Sequence, residues 1–148
     1  MAGRAPDNAS QGDIATTSTG RQRGQLKWET FGDPIRTWRT PDGVEHLRGQ
    51  PSQGVVLGDM VGRATNVFNS DLGSDGRGIV FGTYVFETDS VIWRGNFNGP
   101  SIPDGARGTW DGYAVGQRLW GTFTEVGPGQ FDIEWEIFHA ADERGYQV

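Results

Sequence analysis

The sequence predicts an all-β protein whose strands form an antiparallel up-and-down barrel of about eight strands. Three observations predict this fold. The segment Gly54–Asn69 reads as one uninterrupted strand, strand-like segments rich in aromatic residues and glycine follow it almost to the C-terminus, and no segment keeps the 3.6-residue apolar period of a helix. The chain has 24 Gly, 6 Trp and no Cys, so small residues would let a sheet bend while large ones fill its middle.

The first segment of the chain, residues 1–24, is polar. It contains Gly, Ser, Thr, Asp, Asn and Arg, with Ile14 as its one sizeable aliphatic side chain. Such a segment buries too little apolar surface to offset the entropy that it loses on ordering. We therefore predict a flexible, disordered N-terminal arm over 1–24, with ordering against a neighbouring subunit as the alternative, and a single barrel domain over 25–148.

Turn signals recur at short intervals from Gln25 onward. Gly, Pro, Asp and Asn separate the apolar segments, and Pro41-Asp42-Gly43 has the residues that a type I turn favours. Regularly spaced short strands favour a barrel or sandwich over alternating strands and helices. The predicted strands are Gln25–Phe31, Ile35–Thr40, Val44–Gly49, Gly54–Asn69, Gly76–Thr88, Val91–Asn98, Arg107–Tyr113, Gln117–Val126 and Gln130–His139.

Alternation along the strands assigns side chains to two faces. If odd-numbered residues face inward, the wall is nearly all apolar, and the last strand alternates cleanly because Asp132, Glu134 and Glu136 then face outward. This predicted interior consists of Val55, Leu57, Val61, Val67, Ile79, Phe81, Val85, Trp93, Phe97, Leu119, Phe123, Phe131, Ile133, Trp135 and Ile137.

The opposite face of the central strands is also apolar, which a monomer rarely tolerates. Two explanations are open. We favour an interface between the subunits of a homo-oligomer; the alternative is that the alternation slips at a glycine bulge and the lumen is wider. The side chains concerned are Met60, Ala64, Phe68, Val80, Tyr84, Phe86, Ile92 and Trp120.

Polar residues on the predicted interior wall are candidates for chemistry. Asp59 and Arg63 lie about 13 Å apart at ~3.3 Å per residue, too far to pair directly, and an unpaired charge in an apolar lumen is costly. We predict catalytic roles for both, with Arg63 binding an anionic group; the alternative is that both reach water at the barrel rims. The predicted ligand-binding residues are Phe81, Thr83, Trp93, Phe97 and Trp135.

Composition weighs against several classes of function. The net charge of −6, with no basic cluster beyond Arg21-Gln22-Arg23, argues against nucleic-acid binding. No apolar run reaches the ~18 residues of a membrane span. His46 and His139 have no third ligand at a recognisable spacing, so we predict neither a metal nor a cofactor. No signal peptide is visible, which favours the cytoplasm while leaving the compartment open.

A pattern of glycines and aromatic residues covers roughly residues 44–125. It comprises Gly76–Thr88, the sequences WRGNFNG at 93–99 and GTWDG at 108–112, and LWGT at 119–122. The pattern is similar to small bacterial proteins related to the allene oxide cyclase and dirigent barrels, a calycin-like superfamily; lipocalin-like and avidin-like barrels share part of it. The resemblance implies an eight-stranded, frequently oligomeric barrel with an apolar lumen. Its enzymes mostly cyclise or isomerise a hydrophobic substrate without a cofactor.

These observations predict a barrel that binds a small apolar or amphipathic molecule, with cyclisation or isomerisation by confinement as the reaction if it is an enzyme. Two alternatives are a subunit of a larger assembly and a carbohydrate-binding barrel that uses exposed Trp side chains. We expect at least half of the Trp residues to fill the core. They are Trp28, Trp38, Trp93, Trp110, Trp120 and Trp135.

Overall fold

The computed structural model describes residues 16–140. This part of the chain consists of β-strands and their turns, and it contains no helix that could cross a membrane. The strands are β1 (Thr16–Ser18), β2 (Gln22–Phe31), β3 (Arg36–Arg39), β4 (Glu45–Gly58), β5 (Gly62–Leu72), β6 (Gly78–Thr88), β7 (Ile92–Ile102), β8 (Gly105–Ala114), β9 (Gln117–Gly127) and β10 (Gln130–Ala140).

Eight of these strands close into an antiparallel barrel. β2 pairs with β4, each strand from β4 to β9 pairs with the next, and β10 returns to pair with β2. The short strands add to this wall: β1 lies beside the C-terminal end of β10, and β3 beside the beginning of β4. The predicted all-β antiparallel barrel of about eight strands is therefore confirmed.

The pairing register sets the proportions of the barrel. Paired residues followed from Leu72 around the wall lead back to Gly62 on the same strand, a stagger of ten residues. With a rise of ~3.3 Å per residue and ~4.8 Å between strands, this stagger gives a tilt of about 40° and a mean radius of about 8 Å. A barrel of this width is filled by side chains or encloses one small ligand.

The inward-facing residues are even-numbered on some strands and odd-numbered on others. Residues that pair directly share a face of the sheet, and Phe86 of β6 pairs with Trp93 of β7. The inward set therefore changes from even numbers on β6 to odd numbers on β7. It changes back to even numbers on β8, where Trp110 is buried, and to odd numbers on β9, where Leu119 is buried.

The prediction of one odd-numbered wall is consequently right for β7, β9 and β10 and wrong from β4 to β6. The residues there that the prediction placed inside lie on the outer face: Val55, Leu57, Val61, Val67, Ile79, Phe81 and Val85. The predicted outer interface is wrong for the residues that belong to the interior, namely Met60, Ala64, Phe68, Val80, Tyr84 and Phe86; Ile92 and Trp120 are exposed as predicted. The alternative explanation, a wider lumen, is therefore correct. Its cause is the pairing register of the hairpins and not a glycine bulge.

The predicted uninterrupted strand Gly54–Asn69 is in fact two strands. β4 ends at Gly58, whose φ of +109° suits glycine and turns the chain. Asp59 holds this turn against β2, because its N–H donates to the Arg23 carbonyl and its Oδ2 accepts from the Arg23 N–H, both at 2.9 Å. Upstream, the predicted strand Val44–Gly49 joins β4 across a bulge at Gly49, where φ is +70°.

The boundary of the predicted N-terminal arm also changes. Thr16–Ser18 and residues 22–24 pair with β10, so the part of the arm from residue 16 onward belongs to the barrel wall. The arm prediction for residues 1–15 and the assignment of residues 141–148 to the barrel lie outside the described residues.

Candidate ligand-binding cavity

A cavity of about 320 Å³ occupies one half of the barrel interior. Its lining includes Phe31, Leu72, Ser101 and Gly129, which lie at the ends of β2, β5, β7 and in the β9–β10 turn. Phe31 is 57% exposed, so the cavity reaches the surface at this end of the barrel. Packed side chains fill the other half; they include Met60, Trp93, Leu119 and Trp135.

Nine of the twenty residues that line the cavity are aromatic. Phe97 lies 6.3 Å from Phe68 and 6.2 Å from Phe123, and Phe123 lies 5.8 Å from Phe131, measured between ring centroids. These spacings fall in the range of favourable offset and edge-to-face ring pairs. The wall is therefore held in place by the packing of its own rings.

Trp110 separates the cavity from the filled half of the barrel. Its ring packs edge-on against Phe86 at 5.4 Å and Trp135 at 5.9 Å, and its Nε1–H donates to the Thr122 carbonyl at 3.1 Å. Gly121 makes room for it, since a Cβ there would come within 2.6 Å of Trp110 Nε1. The floor of the cavity is thus a fixed aromatic surface.

The polar groups of the cavity fall into two sets. Ser52 and Asn66 lie deep in the wall, with exposed fractions of 4% and 8%, and Asn66 Oδ1 has no hydrogen-bond partner among residues 16–140. Gln50, Ser101 and Glu125 lie nearer the opening. The lining residues include one carboxylate and no Lys, Arg or His.

The two titratable side chains of the wall are both engaged. Tyr84 donates its hydroxyl to the Asp111 carbonyl at 2.8 Å, and burial raises the pKa of this phenol above its usual range. Glu125 Oε1 accepts the Ala106 N–H at 2.9 Å. The wall therefore presents a phenol whose hydroxyl is already donated and a carboxyl group whose Oε1 is already hydrogen-bonded.

Three of the predicted site residues face the interior. Phe97 lines the cavity, whereas Trp93 and Trp135, each 2% exposed, belong to the filled half of the core. Trp135 is held by a hydrogen bond from its Nε1 to Gln22 Oε1 at 2.8 Å. Trp93, Trp110 and Trp135 lie in the core, which is three of the six Trp in the chain. This confirms the expectation that at least half of the Trp residues fill the core.

The other four predicted site residues lie on the outside, so their assignment to the interior is wrong. Asp59 holds the β4–β5 turn, and Arg63, with 80% of its side chain exposed, pairs with Glu87 at 3.0 Å. Thr83 is exposed, and Phe81 is half-buried on the outer face. The cause is that the inward residues change from even to odd numbers at the β6–β7 hairpin. The sequence signal that could have identified the interior wall was the set of even-numbered apolar residues on β5 and β6.

A second cluster of charged and aromatic side chains joins β3, β4 and β5 on the outer face. Arg48 Nη1 donates to Asp71 Oδ1 at 2.8 Å, and His46 Nδ1–H donates to the same oxygen at 2.6 Å. The hydrogen bond from Arg48, followed by that from His46, lowers the pKa of Asp71. Trp38 stacks on His46 at 4.7 Å and lies 4.2 Å below the Arg36 guanidinium. We interpret this cluster as a brace for β3.

The described residues contain no group of three or more His, Cys, Asp or Glu side chains that could hold a metal ion. No protein-family model matches the chain, and neither a curated protein nor a solved structure gives a significant match.

Proposed function

We propose that this protein binds a small apolar or amphipathic molecule inside its barrel. The observation that carries the proposal is the aromatic-walled cavity of about 320 Å³, which reaches the surface at one end. Ligand sites are typically concave, mostly apolar and preformed, with volumes of about 300–1,000 Å³ and a few placed polar groups. The cavity has each of these properties.

The chain is also proposed to belong to the calycin-like barrels, near the allene oxide cyclase and dirigent proteins. The closed eight-stranded antiparallel barrel supports this relationship. A cofactor-independent cyclase or isomerase would use the same cavity. However, Tyr84 and Glu125 are already hydrogen-bonded, which favours binding over acid–base chemistry.

Self-association is a second candidate function, because the outer face of β4–β6 exposes apolar side chains. Leu57, Val61 and Val67 are 45%, 63% and 44% exposed. We expect light scattering to show a homo-oligomer that Val67→Glu weakens, and a monomer at all concentrations would contradict this candidate. A carbohydrate surface finds less support, since Trp120 is 52% exposed whereas the other Trp side chains of the described residues are buried or half-buried.

Blocking the cavity tests the binding proposal. Val80 lines it and is 4% exposed, whereas its neighbour Ile79 is 50% exposed on the outer face. We expect calorimetry to detect 1-nonanol binding to the unmodified protein and to Ile79→Trp, but at least tenfold weaker binding to Val80→Trp. Ser101→Trp, at the opening, provides a second block that leaves the core intact. Equal binding by all four proteins would place the ligand elsewhere and refute the proposal.

A further inference from the structure

Glu125 is the one acidic residue among those that line the cavity, and the lining contains no Lys, Arg or His. Its Oε1 accepts the Ala106 N–H at 2.9 Å. Within residues 16–140 its Oε2 accepts no hydrogen bond and its carboxyl group forms no salt bridge. Oε2 is also not buried, since Asn66 Oδ1 is the one buried side-chain atom without a partner there. Glu125 therefore keeps an accessible oxygen that can accept a hydrogen bond from a ligand.

The carboxyl group of Glu125 is held at the open end of the barrel. The hydrogen bond from Ala106 fixes one oxygen, and Ala106 pairs across the sheet with Ser101, which lies near the opening. Gly105 leaves room for the side chain, because a Cβ there would lie 3.1 Å from both Glu125 Cβ and Glu125 Oε1. A group that is already positioned loses little conformational entropy when it binds a ligand.

Aromatic side chains lie beside Glu125 on the inward face of the sheet. Glu125 pairs directly with Phe131 of β10 and follows Phe123 by two residues on β9, so the three side chains share this face. The two rings lie 5.8 Å apart between centroids. Because the face of an aromatic ring carries partial negative charge, it attracts a cation within about 6 Å of its centroid. The rings and the acidic group therefore favour the same head group, a positively charged one.

The same lining disfavours an anionic ligand. A carboxylate or a phosphate would lose its hydration in the cavity, where no basic side chain of the lining compensates it. It would also approach the acidic group of Glu125 at the opening. A neutral ligand avoids this cost but gains no ion pair with Glu125.

We therefore infer that the ligand is a cationic amphiphile, with an amine beside Glu125 at the opening and an apolar body that extends toward Trp110. This inference rests on the proposed function and specifies its ligand class. The cavity volume of about 320 Å³ corresponds to roughly ten water-sized groups at ~30 Å³ each. Nonylamine, which is protonated at neutral pH, matches that size and serves as the probe.

Three probes with the same apolar chain separate the charge from the rest of the molecule: nonylamine, 1-nonanol and nonanoate. We expect calorimetry on the full chain at neutral pH to show that nonylamine binds more tightly than 1-nonanol and at least tenfold more tightly than nonanoate. Glu125→Gln keeps an acceptor for the Ala106 N–H but removes the acidic group, so it should weaken nonylamine at least tenfold and leave 1-nonanol within about twofold. Glu87→Gln, at the far end of β6 on the outer face, makes the same change in net charge and should alter neither affinity.

The outcomes distinguish this inference from the function on which it rests. If nonylamine binds no more tightly than 1-nonanol or nonanoate, the cavity does not select a cation and the inference is overturned, while the cavity still binds ligands. If Glu125→Gln binds nonylamine as tightly as the unmodified protein, Glu125 is not the recognising group, and an equal loss with 1-nonanol would show that it only maintains the cavity; either result overturns the inference. If no probe binds, the proposed function fails with it.

Discussion

Replacing Asn66 by Leu is expected to stabilise the free protein, contrary to the usual effect of a substitution in a barrel wall. Leu has the same number of side-chain heavy atoms as Asn and branches at the same carbon, so it keeps the shape of the side chain. The substitution removes a carbonyl that is buried and has no partner among residues 16–140. It also places an apolar side chain among the cavity's aromatic rings.

The magnitude follows from the cost of the unpaired group. A buried polar atom without a hydrogen bond destabilises a fold by about 1–3 kcal/mol. For a domain of this size, 1 kcal/mol corresponds to a rise in Tm of roughly 2–4 °C. We therefore expect Asn66→Leu to raise Tm by roughly 2–12 °C, with an unchanged denaturant m-value.

Asn69 provides a matched control on the same strand. It lies three residues further along β5 on the outer face, its Oδ1 accepts the Gly49 N–H at 2.9 Å, and its Nδ2 donates to the Phe81 carbonyl at 3.2 Å. Leu at this position would remove both hydrogen bonds and release the bulge at Gly49. We expect Asn69→Leu to lower the free energy of unfolding by about 1–3 kcal/mol.

The assay is urea unfolding followed by tryptophan fluorescence and circular dichroism, with both variants measured beside the unmodified protein. Opposite signs for the two substitutions support the assignment of Asn66 as unpaired. A lower unfolding midpoint for Asn66→Leu, similar to that of Asn69→Leu, would refute it.

Three further predictions concern pH and packing. Burial raises the pKa of the Tyr84 phenol above its usual value of 10.0, so the unfolded chain loses the phenol proton at a lower pH than the folded chain. The free energy of unfolding should therefore fall as pH rises above about 10. Urea midpoints measured across alkaline pH should show this fall in the unmodified protein and a smaller one in Tyr84→Phe. The pKa of Asp71 is lowered from 3.8, so its contribution to stability is present above that pH and is lost as pH falls below it; Arg48→Met should raise this pKa in carboxyl NMR titrations. Finally, a Cβ at Gly82 would overlap a backbone oxygen of β5, whereas at Gly127 it would meet one side-chain atom at 3.9 Å; we expect Gly82→Ala to destabilise by ~1–3 kcal/mol in urea unfolding and Gly127→Ala by much less.

The strands could be predicted from the sequence because their signals are local. The acidic outer face of β10 is an example, since Asp132, Glu134 and Glu136 alternate with apolar residues. The segment 54–69 shows the limit of this reasoning. Apolar residues lie on both sides of Gly58-Asp59, so the segment has no clear local turn signal. The turn there depends on hydrogen bonds between Asp59 and Arg23, which are distant in sequence.

The faces could not be predicted with the same rule because they depend on register between strands. One residue more or less in a hairpin reverses every side chain of the next strand relative to the barrel axis. Phe86 pairs with Trp93, so the inward residues are even-numbered on β6 and odd-numbered on β7. A prediction that keeps odd numbers inward across this hairpin therefore places the outer side chains of β4 to β6 inside the barrel. The same rule places Asn66 on the predicted outer face, where an Asn is not a candidate site residue. It also places Arg63 inside the barrel, which makes this exposed residue a candidate catalytic residue by mistake.

The hollow half of the barrel has a physical cost that bears on its function. Small residues line part of it, among them Ser52, Ser101, Ala106 and Gly129, while large side chains fill the other half. At about 24 cal/mol per Å³ of cavity, a volume of about 320 Å³ would correspond to ~8 kcal/mol if it were sealed and dry, an upper bound because it reaches the surface. That is comparable to the ~5–15 kcal/mol that stabilises a whole domain. A ligand of matching shape would recover part of this energy, so a bound alcohol should raise Tm in the unmodified protein and raise it less in Val80→Trp, whose indole occupies part of the cavity.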